Sequence, residues 1–135
     1  MVADPWALLA TARVARFATL APDGRPALVP VCFAMEGQTI FHAVDHKPKA
    51  TRALARVRNL ETDPRATLLA DHYDDEDWNA LWWVRAEGTA RILAEAPHAI
   101  DLLMERYPQY REQRPQGPVI ALDVQRISGW EASRS

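Results

Sequence analysis

Residues 13–34 read RVARFATLAPDGRPALVPVCFA, and this stretch predicts a β-hairpin. Two apolar runs, at residues 13–20 and 27–34, flank the turn sequence APDG at residues 21–24. Proline presets one backbone dihedral of such a turn, and glycine permits positive φ. Strands joined by so short a turn run antiparallel. The stretch therefore indicates an antiparallel sheet as the base of the fold.

The rest of the chain extends this pattern. Further apolar runs typical of strands lie at residues 39–44, 65–73, 81–93 (with a bend at Gly88), 119–124 and 127–130. Helical spacing or helix-start signals lie at residues 47–59 and 96–107 and at Asp4-Pro5. We therefore expect a mainly β fold of about six largely antiparallel strands with two to three helices. Such strands close most economically as a small barrel.

Composition limits the class of protein. The chain has 135 residues, of which 48% are hydrophobic, and we expect residues 1–135 to form a single domain. The single cysteine, Cys32, excludes a disulfide scaffold and fits a reducing compartment. A net charge of −2 argues against nucleic-acid binding. Because the sequence shows no long apolar run and no signal peptide, we expect a cytoplasmic protein without a membrane partner.

The strongest local signal is a cluster of positive charge. Residues 46–60 contain five basic residues and no acidic one: Lys47, Lys49, Arg52, Arg56 and Arg58. On a helix, Lys49, Arg52 and Arg56 share one face. This spacing fits a binding site for an anion of phosphate size. It fits equally a solvated basic face paired with the acidic run at residues 74–77.

Tryptophan is the second signal. The chain has five tryptophans, and Trp78, Trp82 and Trp83 are crowded together. On a strand, Trp82 and Trp83 point to opposite faces. One of them can fill the core, and the other then needs a partner chain, a ligand or a groove. The alternative is that both simply pack.

The third signal is Pro30 within the apolar run. Proline cannot donate to a β-ladder, so the strand has an edge or a bulge there. Backbone groups freed at that point can bind a planar polar ring, or the proline only blunts an edge strand. No residue forms a recognisable nucleophile, acid–base pair or metal site, so we predict no catalytic side chain and no metal. Any catalysis then depends on a bound cofactor.

Several of these segments occur in an order that is typical of one family. They are ATL at residues 18–20, DGRP at 23–26, VPVCF at 29–33, DHKPK at 45–49, LARVRNL at 54–60, DPRATLL at 63–69 and WWVRAEG at 82–88. Together with Trp130 they resemble the pyridoxamine 5′-phosphate oxidase-like FMN-binding split-barrel superfamily. The most similar branch is that of the actinobacterial coenzyme F420-dependent oxidoreductases.

The resemblance implies a split β-barrel that forms a homodimer with cofactor sites at the subunit interface. It places the cofactor ring against the strand around Pro30, Val31, Cys32 and Phe33. It assigns the cofactor phosphate to basic residues, here Lys47, Lys49 and Arg56, with Asn59 close by. Trp82 or Trp83 contributes from the other chain. Leu54 departs from the family pattern, because an arginine is frequent at that position.

The function implied is that of an oxidoreductase. Bound coenzyme F420, a deazaflavin, would transfer hydride to or from a small-molecule substrate. One alternative is FMN in the same site, and another is a non-catalytic split-barrel module that stores or senses a cofactor. Nucleic-acid binding through the basic helix is a remote further alternative.

Overall fold

The computed structural model describes residues 2–44 and 51–132, without the side chains of residues 51–54. The strands are β1 (Ala15–Leu20), β2 (Pro26–Val31), β3 (Ala34–Glu36), β4 (Thr39–Ala43), β5 (Arg65–His72), β6 (Trp82–Leu93) and β7 (Val119–Glu131). The helices are α1 (Pro5–Thr11), α2 (Thr51–Thr62), α3 (Pro97–Arg106) and α4 (Pro108–Glu112), with a short 3₁₀ helix at Trp78–Ala80. Within the described residues, each helix is too short to cross a membrane.

The seven strands of the described chain form one curled antiparallel sheet, in the order β2-β1-β5-β6-β7-β4-β3. This confirms the predicted mainly β, split-barrel architecture. The interior side of the sheet carries the large buried side chains, among them Phe17, Leu68, Val84, Ile120 and Leu122. Helix α2 contacts β1 and β6.

The predicted hairpin is confirmed as β1 and β2. The Gly24 amide donates to the carbonyl of Ala21 at 2.8 Å, and Gly24 has a φ of 86°. The start of α1 is also as predicted, because the Asp4 carboxylate accepts from the amide of Ala7 at 3.1 Å. Both features are local, which is why a short stretch of sequence suffices to predict them.

The apolar run at residues 27–34 is not one strand, as the sequence suggested, but two. Among the described residues, strand β2 pairs only with β1 and β3 only with β4, and these are the two edges of the sheet. Cys32 and Phe33 therefore carry the chain from one edge to the other. The ladder is interrupted because the strand has to change partners at this point. We call Cys32-Phe33 the crossing corner.

Helix α4 was not predicted. The helix predicted at residues 96–107 is present as α3, and Pro108 begins the further helix α4, since proline suits the first turn. Residues 119–124 and 127–130, for which the sequence allows either one strand or a strand pair, form one strand, β7, with a register shift opposite Glu87 and Gly88. The predicted helix at residues 47–59 is present as α2 from Thr51 onward, and its beginning lies outside the described residues.

Candidate functional site

A cavity of about 470 Å³ lies between the crossing corner, α2 and α4. We call it the β2–α4 cavity. One side is formed by small and apolar residues at the ends of β2 and β4: Pro30, Val31, Cys32, Ala43 and Val44. On the polar side, Arg56 comes from α2, and Gln109, Tyr110 and Gln113 come from α4 and its end, followed by Pro115. Its volume falls within the range of about 300–1,000 Å³ that is typical of small-molecule sites.

Because β2 is an edge strand, the cavity is bordered by strand backbone that does not pair with another strand of the described chain. Strand β2 has a hydrogen-bonded neighbour on one side only, so its outer row of backbone groups is not engaged by another strand. Pro30 pairs with Arg16 across the β1–β2 ladder and contributes no N–H. An apolar surface beside unpaired strand backbone suits a planar ring with polar edges.

Arg56 connects the β2–α4 cavity to a smaller one. The second cavity, of about 160 Å³, lies between α2 and the start of the hairpin and is lined by Phe17, Leu28 and Val29 among others. Because Arg56 lines both cavities, its half-buried side chain lies where the two spaces meet. A cation at such a junction can neutralise an anionic ligand that occupies either space.

Asn59 has a structural role in the described chain. Its amide nitrogen donates to the hydroxyl of Thr19 at 3.1 Å, and both side chains are buried. This bond ties α2 to β1 at the smaller cavity, which both residues line. Since α2 carries Arg56, the Asn59–Thr19 bond helps to set the position of that arginine.

The electrostatics of the site depend on two groups beside it. The pKa of His42 is lowered to about 3, chiefly by burial and in smaller part by the nearby positive charge of Arg56. Burial raises the pKa of the Cys32 thiol, while the charges of Arg13 and Arg106 oppose that rise. His42 and Cys32 are therefore neutral at pH 7. Within residues 2–44 and 51–132, no three His, Cys, Asp or Glu side chains are grouped to hold a metal ion.

The two predicted tryptophans lie elsewhere on the chain. Trp82 packs against the core, whereas Trp83 has the guanidinium of Arg85 at 5.3 Å from its ring centroid. Both line an open groove of about 470 Å³, with His72, Tyr73 and Trp130. We call it the tryptophan groove. Within one chain it shares no lining residue with the β2–α4 cavity.

The structure thus divides the predicted site residues into groups. Pro30, Val31, Cys32 and Arg56 meet at the β2–α4 cavity. The Phe33 side chain is fully buried, so it supports the corner from inside. Lys47 and Lys49 lie outside the described residues.

The polar side formed by α4 was missed from the sequence. Gln109 and Tyr110 belong to α4, and Gln113 follows it. Pro108 at the first helical position was the available signal, because proline there marks a helix start as well as the end of the preceding helix. That α4 lies beside β2 depends on tertiary contacts and has no local signature.

Comparisons with known proteins agree with this architecture. The protein-family model for pyridoxamine 5′-phosphate oxidase matches residues 6–131. No curated protein sequence matches the chain.

Solved structures support the same fold. A conserved hypothetical protein of Mycobacterium tuberculosis has a TM-score of 0.72 at 23% identity, covering 91% of this chain and 79% of that one. A FAD-binding protein of Mesorhizobium loti has a TM-score of 0.70 at 19% identity, over 94% and 91% of the two chains. The heme storage protein HutZ of Vibrio cholerae has a TM-score of 0.72 at 17% identity, over 97% and 95%. At these identities the likeness concerns the fold alone.

Proposed function

The chain belongs to the pyridoxamine 5′-phosphate oxidase family, and from this premise we propose that it is an oxidoreductase that binds a flavin-type cofactor in the β2–α4 cavity. The observation that carries the proposal is the junction of an apolar, strand-edged cavity with the half-buried cation of Arg56. The apolar side accepts a tricyclic ring, and the arginine neutralises an anionic tail. When bound, such a cofactor supplies hydride or electron transfer, which no side chain of the cavity can supply.

Each part of the site has a role in this proposal. Pro30, Val31 and Cys32 present a flat surface and strand backbone to the ring. Arg56, together with Lys47 and Lys49 from the adjoining sequence, neutralises the phosphate. The chain itself binds, orients and excludes water, and the neutral Cys32 thiol adds no competing charge beside the ring.

We further propose that the cofactor is coenzyme F420, with FMN as the alternative. The basic residues at 47–58 extend along the sequence beyond what one terminal phosphate requires. A deazaflavin with a phosphodiester and a polyglutamate tail matches this larger positive surface. The HutZ fold relationship adds heme as a ligand to be tested, although no histidine lines the described β2–α4 cavity.

Titration of the purified protein with coenzyme F420, FMN and hemin tests the proposal. We expect micromolar or tighter binding of the deazaflavin, followed by fluorescence, and weaker binding of the other two. Preference for FMN would replace the cofactor and keep the oxidoreductase. Preference for hemin would favour storage or transport of heme, and binding of none would contradict the proposed function.

Replacing Arg56 with alanine should weaken cofactor binding about tenfold to a hundredfold, as expected for loss of a charge-assisted contact. The matched control is Arg58→Ala, which removes an exposed arginine from the same helix. We expect Arg58→Ala to bind as the wild type does, and both variants to unfold within about 1 kcal/mol of it. Equal loss of affinity in both variants would indicate a diffuse charge effect and contradict the site at Arg56.

We also propose that the protein acts as a homodimer. The outer face of the sheet exposes Leu28, Leu69 and Trp130, at 66%, 38% and 42% of their surfaces. These apolar side chains, together with the tryptophan groove, give a second copy a surface to cover. In such a dimer the tryptophans of one copy would complete the cofactor site of the other.

For the dimer we expect light scattering to give twice the mass of the chain, and Trp83→Ala to shift the protein toward monomer. A buried interface tryptophan typically contributes about 2 kcal/mol or more to association. Trp78→Ala is the matched control, since Trp78 does not line the tryptophan groove. A wild type that is monomeric and still binds cofactor would contradict the proposed dimer and leave the proposed cofactor site in the β2–α4 cavity standing.

A further inference from the structure

A tyrosine from outside the sheet, Tyr107, bonds the backbone of the crossing corner. The hydroxyl of Tyr107 accepts a hydrogen bond from the Phe33 amide at 3.0 Å and lies 2.9 Å from the Phe33 carbonyl, to which it donates. The Arg13 carbonyl, at 3.1 Å, is an alternative acceptor for the same hydroxyl proton. Tyr107 is 8% exposed, so water does not replace these bonds at low cost. The hydroxyl thus engages both backbone groups of one corner residue.

Two arginines hold Tyr107 in place. The Arg13 guanidinium lies 4.6 Å from the centre of the Tyr107 ring, and Arg106 Nε donates to the Tyr107 hydroxyl at 3.2 Å. Arg106 also donates to the carbonyls of Ala10 and Ala12, at the end of α1. Arg13 in turn donates to the Arg106 carbonyl. The ends of α1 and α3 are therefore joined around the tyrosine, which leaves its hydroxyl little freedom to move.

Tyr107 stands between the two sides of the β2–α4 cavity without lining it. On one side it binds the backbone of Phe33, next to Cys32, which lines the cavity. On the other side it immediately precedes α4, and its ring meets that of Tyr110 edge-on at 5.7 Å. Cys32 and Tyr110 pack against the same small apolar cluster, built on Leu103 and Tyr107.

We propose that Tyr107 is the positioning residue of the β2–α4 cavity: by bonding the crossing corner and preceding α4, it sets the distance between the cavity's apolar and polar sides. The inference rests on the proposed function, because the distance matters for a planar ring held between Cys32 and Tyr110. A rigid support of this kind keeps a binding site within the small tolerance that tight binding requires.

The test is Tyr107→Phe, which removes only the hydroxyl. We expect affinity for FMN and coenzyme F420 to fall about tenfold, as for one lost hydrogen bond, and the visible circular dichroism of bound cofactor to change. Leu68→Ala is the control, because Leu68 is fully buried in the core and does not line the cavity. It should lower the unfolding temperature at least as much and leave the dichroism of bound cofactor unchanged.

The outcomes separate the two proposals. A wild type that binds no cofactor contradicts the proposed function itself. A wild type that binds, beside a Tyr107→Phe variant with the same affinity and dichroism, overturns only the positioning role. The positioning role is also overturned if, in Tyr107→Phe and Leu68→Ala alike, the loss of cofactor affinity is proportional to the drop in unfolding temperature.

A measurement on the wild type guards against failure of the variant to fold. If Tyr107 pins the corner, the Phe33 amide should exchange with deuterium as slowly as the amides of Leu68 and Val84 in the core strands. Exchange of the Phe33 amide at the rate of an unprotected, solvent-exposed amide would show that the corner is not held and would overturn the inference.

Discussion

At pH 4.5 the free energy of unfolding is expected to be about 3 kcal/mol lower than at pH 7, because His42 is buried in its neutral form. Its pKa is lowered from 6.5 to about 3 in the folded chain, first by burial and then by the charge of Arg56. Within the described residues Nε2 has no hydrogen-bond partner, and the Phe17 ring lies 4.5 Å away, centre to centre. Nothing in that surrounding stabilises an added proton.

The sign and the pH window of this effect follow from linkage. Between pH 6.5 and about 3 the unfolded chain takes up a proton at His42 that the folded chain does not, so stability falls as pH falls. The carboxyls of Asp63 and Asp123 have pKa values lowered below 3.8 by their arginine partners, so their stabilising contributions are lost only in stronger acid. The pKa of His98 is raised by Glu36, and its contribution is lost as pH rises above 6.5. Among the described groups whose pKa is shifted, His42 therefore accounts for the loss between pH 6.5 and 4.5.

Urea unfolding at pH 7, 5.5 and 4.5 measures this loss. His42→Leu keeps the apolar contact with Phe17 and removes the titrating ring, so its stability should vary much less over this range. His98→Gln is the matched control, because His98 is exposed and bonded to Glu36, and it should retain the acid loss of the wild type. A wild type whose stability is flat from pH 7 to 4.5 would show that His42 accepts a proton without unfolding.

Features set by neighbouring residues were predicted well from the sequence. The turn at residues 21–24 and the cap at Asp4 each depend on the geometry of a few consecutive residues, and both are present. At Gly88, where the sequence predicts a bend, the pairing of β6 with β7 shifts in register. The alternation that predicts opposite faces for Trp82 and Trp83 is likewise local, and Trp82 is the one that packs against the core.

Features set by long-range pairing were not predicted. Residues 27–34 read as one strand because nothing local indicates that Val31 and Ala34 belong to opposite edges of the sheet. Tyr107 gave no signal either, since its bonds to Phe33 join residues 74 positions apart. The apolar side of the candidate site was thus predictable from Pro30 and its neighbours. The α4 side was not, because it depends on a contact between segments that are far apart in the sequence.

Gly88→Ala is expected to destabilise the protein by about 3 kcal/mol, at the upper end of the usual cost of overpacking. A methyl group at this position would overlap the backbone carbonyl of Asp123 and approach the Cα of Val124 to 3.1 Å. Neither backbone atom can turn away as a flexible side chain would. The Asp123 carboxylate is also bound by Arg91 and Thr39, so moving this segment strains that contact as well.

Gly88 lies opposite the register shift in β7. This shift lets residues on both sides of it pack against the core. Glu87 pairs with Arg126 and Gly88 with Val124, which leaves Gln125 as the extra residue. Val124 and Ile127 both pack against the core only because this extra residue reverses the alternation between them. Without the bulge, Arg126 would replace Ile127 on the core side.

The matched control adds the same methyl group where there is room for it. No atom lies within 4 Å of a Cβ built on Gly37, and its φ of 60° makes alanine unfavourable by only about 1 kcal/mol. In urea unfolding followed by tryptophan fluorescence, Gly88→Ala should therefore be much less stable than Gly37→Ala. Its unfolding midpoint should lie at a lower urea concentration. Equal costs for the two substitutions would mean that β6 and β7 separate easily at the bulge. In that case the register of the second half of β7, which places Trp130 on the outer face, would be only weakly fixed.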